Sequence, residues 1–290
     1  MKVGLQINRF DWPGGPRKIS EHVRAIASAA DEAGFDSEWV MDHFHQIHHL
    51  GPETDPMLEA YTTLGFMAGV TKRVKLGTMV TGVVYRSPAL LVKAVTALDV
   101  LSGGRAYLGI GAGWNEDEAV ALGLDRPLAG GRFEKLEETL KIAKQMWEGN
   151  FEPFHGVHYQ LEHPVSSPQP VSSPHPPILV GGGGEQKTLR LVAQYADACN
   201  FFGGPELEHK LDVLRRHCED VGRDFNEIEI TSMARVDVAE AAKNPGELLA
   251  RAKAMAKLGV SHIILRNGTD PNPAYFGELA KKVVPELHQL

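Results

Sequence analysis

Residues 38–50 read EWVMDHFHQIHHL. An apolar run stops at Asp42, and four histidines follow: His43, His45, His48 and His49. An imidazole beside a carboxylate admits a metal site, a proton-transfer site, or no more than a hydrated loop. Two glycine clusters raise a second question, LGIGAGWNEDE at 108–118 and PPILVGGGGEQKTLRL at 176–191. In the later one, a strand-like run enters four glycines and then a helix-like run carrying Lys187 and Thr188. Exposed backbone N–H groups at a helix N-terminus form an anion cradle, suited to a phosphate. Four successive glycines cost too much chain entropy to act as a plain connector in so short a turn. In the earlier one, Gly109, Gly111 and Gly113 alternate through a strand end, which would let a planar ligand approach the backbone, with Trp114 and Asn115 at the rim. Neither cluster has the spacing of a dinucleotide fingerprint.

These residues need elements to position them. One junction recurs along the chain: an Ala/Leu-rich helix end, a Gly or Asp turn, then a short apolar run, at 31–41, 101–111, 193–202 and 256–265. Eight apolar runs read as strands: 3–7, 37–41, 74–79, 106–110, 178–180, 198–201, 228–233 and 262–265. Several are apolar throughout, as strands covered on both faces must be. Between them lie helical patterns. Ile19, Val23, Ile26, Ala27 and Ala30 share one face of 17–34; Phe133, Leu136, Leu140, Ala143 and Trp147 do so in 132–148; Leu248, Leu249, Ala252 and Met255 do so in 246–258. Regular alternation predicts an α/β fold, a (β/α)8 TIM barrel formed as a single domain over 1–290, with an insertion before strand five. A doubly wound open sheet is the alternative, but QINRFDWPGGP after the first strand matches no phosphate loop. The insertion, 150–176, contains PVSSP twice and reads as a small hairpin around Gly156 plus an extended loop, either a passive surface segment or a lid.

A barrel of this kind builds its site at the C-terminal strand ends. That places Asp42 and His43 at the mouth, along with Asn8, Arg9, Thr81, Gly111 to Asn115, Gly181 to Glu185, Asn200, Arg235, Arg266 and Asn267. The other strand ends offer no second His or carboxylate to converge on zinc, so no metal is expected, and His45, His48 and His49 read as loop. Asp42 and His43 read as a proton-handling pair, or else as a helix-capping Asp beside an exposed His.

Composition narrows the partners. The net charge of −7, without a block of Lys and Arg, argues against nucleic acid and anionic membranes. The apolar runs are strand-sized, the N-terminus MKVGLQINRF lacks a signal-peptide pattern, and two cysteines make no disulfide framework, which together predict a cytoplasmic protein.

MDHF at 41–44, GTMVTGVVYRSPALLVKAVTALDVLSGGR at 77–105, LGIGAGWNEDE at 108–118 and PPILVGGGGEQKTLRLVAQYADACN at 176–200 resemble, together, the luciferase-like monooxygenase superfamily in its F420-dependent oxidoreductase branch. The resemblance implies a (β/α)8 barrel, a homodimer, and a deazaflavin (coenzyme F420) or FMN at the mouth. It implies His43 as proton donor or acceptor at the ring and Asp42 bonding the ring edge or ribityl chain. Met79-Val80 would be the family's non-prolyl cis peptide behind the ring, Thr81 and Asn115 ring and ribityl contacts, and Gly182, Gly183 and Gly184 the phosphate seat. Gly111 and Asn200 join the cofactor-facing set as strand-end residues. The family's F420-linked sugar-phosphate dehydrogenases carry a Glu in the turn after strand four, where this sequence has Trp114, with Glu116 and Asp117 further on; that acid role is not transferred.

The expected activity is hydride transfer between F420 and a small organic substrate. The alternatives are an FMN-dependent monooxygenase fed by a flavin reductase, a non-catalytic flavin-binding protein, and a metal-dependent hydrolase. Phe10, Trp12, Phe44 and Trp114 suggest an aromatic pocket lining. The acidic tail of F420 would favour basic residues at the mouth, with Arg9, Lys187, Arg235 and Arg266 as candidates.

Overall fold

The computed structural model describes residues 1–124 and 129–290, without the side chain of Ala129. Along the chain the elements are β1 (Lys2–Ile7), α1 (Pro16–Glu32), β2 (Ser37–Val40), α2 (Ala60–Val70), β3 (Lys75–Thr78), β4 (Thr81–Gly82), α3 (Pro88–Ser102) and β5 (Leu108–Gly111). There follow α4 (Glu116–Ala121), α5 (Ala129–Trp147), β6 (Phe154–His155), β7 (Gln160–Leu161), β8 (Ile178–Gly181), α6 (Thr188–Tyr195), β9 (Ala198–Phe202) and α7 (Leu207–Val221). The last are β10 (Glu229–Asp237), α8 (Val238–Lys243), α9 (Pro245–Lys257), β11 (His262–Asn267), α10 (Ala274–Lys282) and α11 (Val284–His288).

Nine strands form one parallel sheet in the order β3-β2-β1-β11-β10-β9-β8-β5-β4. Its ends come together. The Leu76 amide donates to Arg105 O and the Tyr107 amide to Leu76 O, both at 2.8 Å, so β3 meets the segment entering β5 and the sheet is nearly closed. The expected third strand, 74–79, is β3, and the cis peptide Met79-Val80 separates it from the short β4 that follows. Glycines in the neighbouring strand admit this detour. A Cβ on Gly109 would stand 1.8 Å from Thr78 O, and one on Gly111 would stand 3.0 Å from Val80 Cγ2. Gly109 therefore serves the packing of two strands, not the close approach of a ligand, because its space is already filled.

Strand alternation divides the apolar residues in two. Trp39, Met79, Tyr107, Leu179, Ala198 and Ile264 pack inside the sheet. Outward residues such as Leu5, Val40, Leu76, Leu108, Val180, Phe201 and Leu265 join the helices in the larger core. The helical faces read from the sequence take part: Ile19, Val23, Ile26, Ala27 and Ala30 are buried, as are Leu136, Leu140, Ala143 and Trp147. At the N-terminal floor, inward polar residues engage one another. Glu229 accepts from Lys2 Nζ (2.7 Å) and the Tyr107 hydroxyl (2.9 Å), and His262 Nε2 lies 2.9 Å from Ser37 Oγ. No helix among the described residues is long and apolar enough to cross a membrane.

The 150–176 segment lies between α5 and β8 and carries the antiparallel β6–β7 pair. Two buried carboxylates tie it down. Glu138 on α5 accepts the amides of Val157 (2.7 Å), His158 (3.2 Å) and Tyr159 (3.0 Å). Asp99 on α3 accepts those of Val171 (2.7 Å) and Ser172 (2.8 Å) and the Ser172 hydroxyl (2.7 Å). None of its residues lines the mouth cleft described below.

Replacing Glu138 with Ala leaves three backbone donors without their acceptor. The expected outcome is a loss of about 2 kcal/mol in urea unfolding with faster amide exchange confined to 154–161. Unchanged exchange there would show that the carboxylate is not what holds the hairpin.

Candidate functional site

A cleft of about 370 Å³ opens at the C-terminal ends of the strands. Its walls include His43 after β2, Met79 and Val80 between β3 and β4, Gly111 to Trp114 from the last residue of β5 onward, Gly181 to Gly184 from the last residue of β8 onward, and Asn200, Phe202 and Met233 on β9 and β10. Eight of the residues expected to serve the cofactor or the reaction are therefore brought together: His43, Met79, Val80, Gly111, Gly182, Gly183, Gly184 and Asn200. Asp42, Thr81 and Asn115 stand outside the lining, each with a different partner.

Asp42 is the first correction. It neither caps a helix nor faces the cleft; both its oxygens engage Arg86, at 3.0 Å for the Nη2 contact and closer for Nη1. Arg86 also pairs with Glu59 and lies over the Tyr61 ring at 4.8 Å. Burial works against the charge of Arg86, but the hydrogen bond and charge of Asp42 outweigh it and hold the guanidinium protonated. Glu59, not Asp42, caps the next helix, accepting the amides of Tyr61 (3.2 Å) and Thr62 (2.7 Å) at the start of α2. Thr81 lies behind the wall, with its hydroxyl 2.9 Å from that of Tyr61 and 3.0 Å from that of Thr78. Asn115 caps α4, and its amide nitrogen reaches Glu118 Oε2 at 3.3 Å.

Glu118 is the residue that sequence reasoning missed. Its side chain is 1% exposed, yet it gathers donors from three segments. His43 Nδ1 lies 2.7 Å from Oε2 and the Tyr85 hydroxyl 2.6 Å from the same oxygen. The amides of Phe44 and His45 donate to Oε1, the latter at 3.0 Å. Burial pushes the Glu118 carboxyl up, but the hydrogen bonds from His43, Tyr85 and the His45 amide together outweigh it and hold it at about 2. Burial, then the hydrogen bond to this carboxylate, pushes the Tyr85 phenol upward, so it remains a donor.

An ionised acceptor fixes the tautomer of His43. Nδ1 carries the hydrogen that Glu118 accepts, which leaves Nε2 as the unengaged nitrogen on a ring that lines the cleft. Nε2 can accept a proton when the ring is neutral and donate one when it is charged. The rim continues through aromatic rings. Trp114 stands edge-on to His43 at 5.6 Å, and His48 and His49 lie 6.4 and 6.1 Å from Trp114. Among the described residues, no three His, Cys, Asp or Glu side chains converge as metal ligands. The aromatic lining differs from the one expected: Trp114 belongs to it together with Tyr85, Phe133 and Phe202, but Phe10 and Trp12 are buried in the core, 5.5 Å from each other, and Phe44 packs on Tyr85.

The opposite end of the cleft is the glycine turn. Gly182 has φ +119, a conformation that favours glycine, and a Cβ on Gly184 would stand 2.9 Å from Thr188 Oγ1. A side chain on Gly181 would meet Val80 at 2.8 Å. The turn is thus bare backbone facing a cleft, with Thr188 at the start of α6 and Lys210 Nζ holding Gly183 O at 2.8 Å from behind. A flat apolar slot ending in a glycine turn at a helix N-terminus fits a ring with a phosphate chain.

The model of the luciferase-like monooxygenase family matches residues 1–275. An F420-dependent glucose-6-phosphate dehydrogenase of Kineococcus radiotolerans is 31% identical over 266 residues, 90% of this chain and 74% of that protein. One of the same name from Amycolatopsis mediterranei is 32% identical over 68% of this chain, and the match spans about half of its length, 54%. Among solved structures, an F420-dependent secondary alcohol dehydrogenase in complex with an F420-acetone adduct superposes with a TM-score of 0.79 over 99% of both chains, at 20% identity, a likeness of fold.

The Glu118 network makes a pH prediction. A carboxyl near 4.5 in the unfolded chain is held at about 2 in the folded one, so its stabilisation is complete above 4.5 and is lost as pH falls toward 2. Glu118→Gln is expected to be less stable than the parent at pH 7, with the gap narrowing below pH 4.5 in urea titrations. A gap that does not vary with pH would refute the charge-based account.

Proposed function

The chain belongs to the luciferase-like monooxygenase family, and from that premise we propose that this oxidoreductase transfers a hydride between coenzyme F420 and a small organic substrate at the C-terminal mouth of a (β/α)8 barrel. The observation that carries the reading is the pairing of a glycine turn at one end of the cleft with a carboxylate-oriented imidazole at the other. The names of the curated relatives, F420-dependent dehydrogenases at about 30% identity, favour F420 over FMN.

In this reading the backbone amides of Gly182, Gly183 and Gly184, with Thr188, seat the phosphate. Val80 and Met79 support the back of the ring, and Gly111 and Asn200 flank it. Bound F420 supplies the hydride chemistry itself; the protein supplies orientation, exclusion of water and proton handling. His43 gives or takes the accompanying proton at Nε2, and Glu118 and Tyr85 hold its ring in the required tautomer and orientation. Asp42 acts one layer back, through Arg86, by fixing the segment that carries Tyr85. Thr81 and Asn115 likewise support the wall and do not touch the ligand.

A homodimer belongs to the same proposal. The outer faces of α2 and α3 leave Gly65, Gly69, Ala97, Leu90 (69% exposed) and Leu101 (79% exposed) in the open. Small residues beside large apolar ones suit the close packing of helices from a second copy. Sedimentation at micromolar concentration is expected to give twice the 31.7 kDa chain mass, and a single monomeric species would overturn this part.

Fluorescence titration with F420 and with FMN is the primary test. Tight F420 binding with weak FMN binding is the expected result; the reverse moves the protein to oxygen-dependent chemistry with a separate flavin reductase. His43→Ala is expected to keep cofactor affinity while turnover falls by roughly 10²–10⁴. A variant that turns over normally would remove His43 from the reaction.

A further inference from the structure

The barrel has a second opening at its other end. Ser37, Glu229 and His262 are the first residues of β2, β10 and β11, so all three lie at the N-terminal floor, a strand's length from the cleft. A cavity of about 360 Å³ opens there, and its walls include Ser37, His262, Tyr107, Lys2, Arg73 and Lys75. None of these residues lines the mouth cleft, and the hydride transfer proposed at the mouth makes no use of them.

The polar contacts at the floor run in one direction. The Trp39 indole N–H donates to Ser37 Oγ at 2.7 Å. An indole nitrogen can only donate, so the Ser37 hydroxyl keeps its own hydrogen for another acceptor. Among the described residues its one other partner is His262 Nε2, at 2.9 Å. Nε2 therefore accepts, and the hydrogen of the neutral ring sits on Nδ1. Nδ1 stands 3.4 Å from Glu229 Oε1, close enough for charge to act but too long for a formed hydrogen bond, and it is sealed from solvent without another partner. Glu229 is fixed in turn by Lys2 Nζ, 2.7 Å from Oε1, and by the Tyr107 hydroxyl, 2.9 Å from Oε2. Ser37 and His262 meet across β1, which lies between β2 and β11, because β1 carries Gly4 at their level. A Cβ there would stand 2.4 Å from Ser37 Oγ and 2.9 Å from His262 Nε2.

Hydroxyl to imidazole to carboxylate is the order in which a serine becomes a nucleophile. Packing of the floor accounts for the burial of these groups. It does not account for an imidazole N–H left unsatisfied, or for a cavity that opens on both the hydroxyl and the imidazole. We propose that Ser37, His262 and Glu229 form a second, hydrolytic site at the floor of the barrel, which cleaves small carboxylic esters through an acyl-Ser37 intermediate. Ser37 Oγ attacks the ester carbonyl as its proton passes to His262 Nε2. The alkoxide departs with that proton and leaves the acyl group on Oγ. Water, giving a proton to the same nitrogen, then adds to the acyl carbonyl; the acid is released and the proton returns to Oγ. Glu229 stabilises the imidazolium that forms in each half, and closing the 3.4 Å gap gives Nδ1 its acceptor. The cationic groups of Lys2, Arg73 and Lys75 on the cavity wall favour the negative charge that develops on the carbonyl oxygen.

The test uses p-nitrophenyl acetate with the full chain and no added F420 or FMN. Nitrophenolate release is followed by stopped flow, and the acetyl group is located by peptide mass spectrometry. The expected result is a burst with the acetyl group on Ser37, abolished in Ser37→Ala and slowed by roughly a hundredfold or more in His262→Gln. Glu229→Gln, which keeps the shape and loses the charge, slows it by a smaller factor. Urea unfolding checks that each variant is folded. No burst in the parent, acetylation of Lys2 or Lys75 in place of Ser37, or an undiminished burst in Ser37→Ala overturns the proposal. If the variants do not fold, the position of the acetyl group in the parent decides: Ser37 supports the site, and any other residue overturns it. Because the assay contains no cofactor, its outcome is independent of the fluorescence titrations at the mouth.

Discussion

The mouth depends on one buried carboxylate. Glu118 reaches it from the first turn of α4 and accepts hydrogen bonds from the loop after β2 and from Tyr85 beyond β4. No single contact among these is unusual. Their convergence on an acid with 1% exposure is, because an ionised group there is tolerable only if its lone pairs are filled. Filling them fixes the path of residues 43–45 and the ring of His43 together. The cost of burying the charge is thereby converted into orientation of the one imidazole that lines the cleft, which is how a supporting shell makes a proton-handling group act at a defined atom.

Strand alternation explains much of what the sequence allowed and what it concealed. The parallel sheet was legible because its strands are short apolar runs between helical repeats, and the mouth followed from the direction of those strands. His43 can be placed from the sequence, but Asp42 is expected in the same cleft, although a period of two puts it on the other side. Trp39 packs on the inward face and Val40 on the outward one, and Asp42 turns away from the cleft to Arg86. Glu118 was harder. Asn115 followed three residues later by Glu is the pattern of a local helix cap, and the Glu118 amide does donate to Asn115 Oδ1 at 3.4 Å. Nothing local signals that the side chain leaves its own helix for a loop 75 residues earlier.

The glycines divide along the same line. Gly182 needs its positive φ and Gly184 its lack of a side chain, so the four-glycine turn keeps the backbone character read from the sequence. Gly109 looked equivalent in the sequence, yet it faces Thr78 O of a neighbouring strand and no ligand. A strand glycine marks a close approach, and only the fold says what approaches.

The inward residues at the two ends of the sheet come from the same alternation but reach different states. At the floor, Glu229 is held at about 2: burial pushes it up, and the hydrogen bonds and charges of His262 and Lys2 outweigh that, with Tyr107 donating to the second oxygen. Cations and acids there answer one another, which is what stability requires. At the mouth, Arg266 keeps a buried N–H without an acceptor, and Asn8 Oδ1 and Asn267 Nδ2, at the neighbouring ends of β1 and β11, are likewise buried without partners. Buried polar atoms without partners also occur away from the cleft, at both Glu38 oxygens and at His262 Nδ1 on the floor, so the groups at the mouth are set apart by their place on the face that carries the cleft and not by being unpaired. Position relative to the cleft, and not any single side chain, is what separates the part of the barrel that holds itself together from the part that is open to the proposed cofactor.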